Sequence, residues 1–226
     1  MQNGIHDLPL QILNGHVFVR IGEALWLLDT GAPNSFGLTR SLVLGNEVFN
    51  LNTNYLGLTA NTLSQYVGIT CSGLIGMDIL SRFDCLFDAI SVKFTFAAGE
   101  IIRSSQNIGL DVFMGIPIIE ARIEGRDYRM FFDTGAQISY LQCDSLTDFP
   151  TAGVVTDFYP GVGQFDTDIH NVSVSIGENI FNLRCGVLPG LLGMSLKMAS
   201  VQGIIGNAIL CDRIIGFFPR RKTIVL

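Results

Sequence analysis

Apolar positions in this chain fall in short alternating or continuous runs, as in His16–Ile21 (HVFVRI), ALWLLD over 24–29, VKFTF over 92–96, RMFFD over 129–133 and KTIVL over 222–226. Gly, Asn and Pro separate them, which is the pattern of strands joined by turns. Helical periodicity is weak, and only 78–83 and 191–199 predict short helices. The expected class is all-β.

The pattern repeats. Leu27-Leu28-Asp29-Thr30-Gly31-Ala32 recurs as Phe131-Phe132-Asp133-Thr134-Gly135-Ala136, 104 positions later (133 − 29). Each Asp is followed six positions on by a serine, Ser35 and Ser139. A second element, Gly73-Leu74-Ile75-Gly76-Met77-Asp78-Ile79-Leu80, is echoed in the same order by Gly203-Ile204-Ile205-Gly206-Asn207-Ala208-Ile209-Leu210. Two ordered matches in one chain indicate an internal duplication. Asp29 to Gly76 spans 47 positions (76 − 29) and Asp133 to Gly206 spans 73 (206 − 133), so the second copy carries 26 extra residues. The loop-like stretch 97–107 places the boundary between units 1–103 and 104–226.

Composition narrows the function classes. Of 226 residues, 48% are hydrophobic and only 15% charged, well under the usual charged share of about a quarter, so much of the chain must be buried. The net charge of −6, with Arg220-Arg221-Lys222 as the one basic run, argues against nucleic acid as a partner. No apolar stretch approaches the roughly 18 residues of a membrane helix, and residues 1–20 lack a secretory pattern, so no membrane partner is expected. Five cysteines (Cys71, Cys85, Cys143, Cys185, Cys211), an odd number without C-x-x-C spacing, read as buried free thiols of a reducing, cytoplasmic compartment. His6, His16 and His170 are too scattered for a metal site and read as surface or core histidines; no metal or cofactor is expected.

The chemistry rests on the twin Asp-Thr-Gly segments. A strand ending in Asp-Thr-Gly sets a carboxylate at the strand end, where glycine permits a tight turn and close approach. One such tripeptide arises by chance in about one chain in twenty of this length, and an exposed Asx turn would explain it. Two within matching longer segments are not explained that way. If the copies pack about a two-fold axis, Asp29 and Asp133 face each other, and two carboxylates about 3 Å apart share one proton, the effect for which aspartic proteases are the standard example. The pair then supplies an acid and a base for splitting a peptide bond with water.

These segments resemble the retropepsin-like and pepsin-like aspartic peptidases, over both halves from about Leu8 to Leu226. The resemblance implies two homologous β-barrel-like lobes of the acid-protease fold related by a pseudo-two-fold axis, and a monomer acting on a polypeptide substrate. It implies Asp29 and Asp133 as the catalytic pair, with Thr30, Gly31, Ala32, Thr134, Gly135 and Ala136 forming the supporting loops and the two threonines bracing them. Leu74-Ile75-Gly76 and Ile204-Ile205-Gly206 would pack beside those loops. The Tyr159-Pro160-Gly161-Val162-Gly163 segment is similar to the tip of a substrate-covering flap, with Tyr159, Gly161, Val162 and Gly163 against substrate. The first copy, at 50–57, has room only for a truncated hairpin. Ala32 and Ala136 stand where many pepsins carry a serine able to donate to the aspartate, which points to a weakly acidic working range. A catalytically silent peptide- or protein-binding module on the same fold is the alternative, because fold does not fix function.

Overall fold

The alternating runs form strands in the computed structural model, which describes residues 4–142, 145–146, 148–188 and 190–226. His16–Ile21, Ala24–Leu28, Lys93–Ala97, Arg126–Phe132 and Thr223–Val225 coincide with the expected segments, and the chain is mostly β-sheet. Two large sheets contain most of it.

The ten-stranded sheet runs Asn107–Gly109, Thr223–Val225, Ile214–Phe218, Asp84–Asp88, Lys93–Ala97, Ile5–Leu13, His16–Ile21, Ala24–Leu28, Gly73–Ile75, Phe36–Gly37 from edge to edge. The eight-stranded sheet runs Asp111–Phe113, Ile116–Ile123, Arg126–Phe132, Gly203–Ile205, Ser139–Leu141, Asn179–Val187, Gly163–Ile176, Thr151–Tyr159. An added pairing of Arg122 with Ser175 joins its second and seventh strands, curling the sheet back on itself. Three strands from the unit 104–226 complete the first sheet, so the two units exchange backbone hydrogen bonds.

Corresponding segments adopt the same pairing in both halves. Trp26, Leu27 and Leu28 lie parallel to Gly73, Leu74 and Ile75, and Met130, Phe131 and Phe132 lie parallel to Gly203, Ile204 and Ile205. Parallel strands are buried on both faces, which accounts for apolar runs here in place of alternation. Leu28, Ile75, Phe132, Ile205 and Phe217 are sealed in one core cluster that draws on both halves. Each such side chain contributes about 1.5–3 kcal/mol on burial.

Helices are few and short. Met77–Leu80 and Gly190–Met198 fall near the two expected segments, each starting one residue early. A third, Ala60–Val67, corrects the reading of weak helical periodicity. It buries Ala60, Leu63 and Val67 along one stripe; the Thr59 hydroxyl accepts the Thr62 N–H at 3.2 Å, and Gly68 ends it at φ 68°. The polar residues between those positions mask the stripe.

Cys71, Cys85 and Cys185 are buried free thiols. Cys211 is free but exposed, a departure from the buried expectation, because it follows the single turn Asn207–Leu210 where the chain leaves the core. Cys143 lies outside the described residues. Among those residues no helix is long and apolar enough to cross a membrane.

Candidate functional site

The strands Ala24–Leu28 and Arg126–Phe132 end one residue before Asp29 and Asp133. The last ladder bonds fix the turn: Asp29 N–H donates to the Ile75 carbonyl at 3.0 Å, and Asp133 N–H to the Ile205 carbonyl at 2.9 Å. Asp29 Oδ1 then accepts the N–H groups of Gly31 and Ala32, both at 2.9 Å; Asp133 Oδ1 accepts those of Gly135 at 2.9 Å and Ala136 at 3.1 Å. This is the Asx turn that either tripeptide alone would form. What a single turn would not give is the partner.

Each carboxylate lies against the glycine of the opposite loop. A Cβ on Gly31 would stand 2.2 Å from Asp133 Oδ2, and one on Gly135 would stand 2.4 Å from Asp29 Cγ. Glycine is required here by the approach of a carboxylate and not by backbone φ. The two carboxyl groups therefore lie close enough to act on each other's ionisation.

Beneath them the threonines cross. Thr30 Oγ1 donates to the Phe132 carbonyl at 2.7 Å and accepts the Thr134 N–H at 3.0 Å; Thr134 Oγ1 donates to the Leu28 carbonyl at 2.8 Å and accepts the Thr30 N–H at 3.1 Å. Both threonines are fully buried. Outside this crossing, Ser35 Oγ accepts the Gly76 N–H at 2.8 Å and Ser139 Oγ accepts that of Gly206 at 3.0 Å. Met77 N–H donates to the Ala32 carbonyl and Asn207 N–H to that of Ala136. The apolar-apolar-Gly segments thus hold the Asp loops from behind.

Burial sets the electrostatics. It raises the Asp29 carboxyl well above its ordinary 3.8, and the charge of Asp133 and their mutual hydrogen bond push the same way, against the two N–H donors. Burial also raises Asp133, opposed by the hydrogen bond from Asp29 and its own two donors. One proton shared between the oxygens satisfies both directions, and the two carboxyls titrate as a pair.

The pair lies in a cleft partly open to solvent and lined by residues of both halves. Over it hangs the hairpin of Thr151–Tyr159 and Gly163–Ile176, closed by pairing of Tyr159 with Gly163; Gly161 and Gly163 take φ of 81° and 90°. Tyr159 lines the cleft, and its hydroxyl is pushed up to about 12 by burial and then by the charge of Asp133. Gly161, Val162 and Gly163 do not reach the carboxylates. They border a more open groove shared with Leu56 and Gly57.

Several cleft residues carried no signal in the sequence. Tyr55 enters from a two-residue-per-strand hairpin, Asn54–Tyr55 with Leu58–Thr59. Phe158 packs on Tyr66 with ring centroids 5.0 Å apart, docking the hairpin onto the first half. Asp157, buried, accepts the Phe158 N–H at 2.7 Å and the Tyr140 hydroxyl. His16, read as a surface or core histidine, is buried near Asp157, and its pKa is lowered by burial despite that carboxylate. Gln137 donates to the Asn14 carbonyl at 3.1 Å and Asn207 to that of Gly15 at 2.8 Å, seating the turn before His16 on the second Asp loop.

Among the described residues no group of three or more His, Cys, Asp or Glu side chains is placed to hold a metal ion. Compared with models of known protein families and with curated proteins, the chain matches none.

Proposed function

We propose that this protein is an aspartic-type endopeptidase of the retropepsin-like and pepsin-like kind, with Asp29 and Asp133 as its catalytic pair. The observation that carries the reading is the reciprocal approach of two half-buried carboxylates, each lying against the other loop's glycine. The units 1–103 and 104–226 are then two homologous lobes related by a pseudo-two-fold axis, which the matching strand registers and threonine contacts favour. One chain supplies both carboxylates, so a monomer suffices.

In this reading a water molecule sits between the carboxylates. The ionised one takes a proton from it while the protonated one donates to the carbonyl oxygen of the scissile bond, giving a neutral tetrahedral diol. Proton transfer to the amide nitrogen then lets the C–N bond break, releasing an acid and an amine and restoring one proton to the pair. Loop N–H donors hold the inner oxygens fixed, so little reorganisation accompanies the charge movement. The substrate lies extended beneath the hairpin, and the apolar recess beside Asp133, formed by Phe113, Ile116, Phe131, Leu196 and Ile204, takes a large apolar side chain.

Cleavage of a mixed peptide library between pH 3 and 7 by the wild type and by Asp133→Asn tests the assignment. Cleavage by the wild type alone supports it. Peptide binding without cleavage by either would give the chain to the silent peptide-binding alternative.

A further inference from the structure

Asp157 stands apart from the catalytic pair in the same cleft. It projects from the strand Thr151–Tyr159, paired with Phe165 two residues from the turn, and is 8% exposed. Its two donors, the Phe158 N–H and the Tyr140 hydroxyl, are both neutral. It is in no ion pair among the described residues. The one nearby basic side chain, His16, is itself buried, with Nδ1 lacking a hydrogen-bond partner.

A nearly buried anion with only neutral donors is costly, and the cost falls sharply when a cation reaches it. The cleft contains none. Its lining holds three carboxylates, Asp29, Asp133 and Asp157, and no Lys, Arg or His among the described residues. The catalytic pair shares a proton and faces the scissile bond, which leaves Asp157 as the anion free to read a side chain. The adjoining recess beside Asp133 is apolar, so Asp157 is a chemically distinct feature of the cleft lining.

We infer that Asp157 is a specificity-determining residue that recognises a basic side chain of the bound peptide, lysine or arginine, next to the scissile bond. This inference rests on the reading of the cleft as a peptide site and adds the substrate class. Asp157 also ties Tyr140 to the hairpin, and that structural role would exist with any substrate, so the test must read a ratio between peptides.

The measurement uses two peptides identical except for lysine or norleucine at the position in question, which match in stem length and differ in charge. Their binding is followed by fluorescence polarisation on Asp133→Asn protein, and their cleavage on the wild type. The lysine peptide should be preferred by about tenfold or more, the scale of a charge-assisted hydrogen bond. Asp157→Asn, added to each protein, should bring the ratio close to one. Tyr140→Phe, which removes the tie and keeps the charge, should leave the ratio standing. Equal handling of the two peptides by unsubstituted Asp157 protein, or a ratio that survives Asp157→Asn, would overturn the inference. Absence of binding by either peptide would overturn it as well. Binding with a lysine preference but no cleavage would retain it while removing the peptidase reading.

Discussion

Thr30 and Thr134, 104 positions apart, each accept the other's backbone N–H, at 3.1 and 3.0 Å, and each donate to the carbonyl one residue before the opposite Asp. Four buried hydrogen bonds therefore fix where the two carboxylates stand relative to one another. Thr134→Val keeps the shape but strands the Thr30 N–H and the Leu28 carbonyl in the core. It should destabilise the protein by about 2–6 kcal/mol, at roughly 1–3 kcal/mol for each of the two orphaned groups. Thr134→Ser should recover most of this. Equilibrium denaturation of the three proteins checks the order.

Gly31→Ala tests the approach of the carboxylates more sharply, since the new methyl would stand 2.2 Å from Asp133 Oδ2. The carboxylate must move, and a displacement near 1 Å costs about 100-fold in rate when geometry is catalytic. Peptide cleavage should fall at least that far. Affinity for a transition-state mimic bearing a tetrahedral hydroxyl should fall with it, more than affinity for a plain peptide.

The shared proton has a sign in stability. Asp29 holds a proton in the folded protein well above its ordinary 3.8, whereas the unfolded chain releases it near that value. The folded state thus binds more protons in that interval, and this contribution is complete at low pH and lost as pH rises through the folded value. Each pH unit of the interval changes stability by about 1.4 kcal/mol. Asp29→Asn removes the effect, so the variant should gain on the wild type as pH rises above the ordinary 3.8. Melting temperatures of the pair across that range check it, and a constant difference would contradict the shared proton.

Asp84 is fully buried and receives Arg220 Nη2 at 2.9 Å, Arg221 Nη2 at 2.5 Å and the Ile101 N–H at 3.0 Å. Asp84→Ala leaves two guanidinium groups and an amide without their anion. A loss of about 3–5 kcal/mol is expected, as for other broken buried pairs. Chemical denaturation measures it, and a loss under 1 kcal/mol would show that the arginines find water instead.

The sequence made the Asp pair legible because duplication printed it twice, in Leu27–Ala32 and Phe131–Ala136. The same logic reached Ile75 and Ile205 behind the loops. It could not reach Asp157, Tyr140, Tyr55 or His16, because each occurs in one copy only and acquires its role through contacts across the fold. His16 and Asp157 are 141 positions apart (157 − 16), a proximity no local pattern encodes. The helix Ala60–Val67 was hidden for a different reason. Its stripe of Ala60, Leu63 and Val67 is narrow, and the readable signals were the ends, Thr59 and Gly68.

The strand Ile214–Phe218 fills a place in the first sheet between Asp84–Asp88 and Thr223–Val225. Residues 214–225 must therefore be in place before a sheet begun at Ile5 can be finished, since a strand pairs only after its partners have emerged from synthesis. The wait is lengthened by closing a loop of well over a hundred residues. Until then the two Asp loops lack the sheet that joins their halves, so the cleft between Asp29 and Asp133 is among the last features of the fold to form.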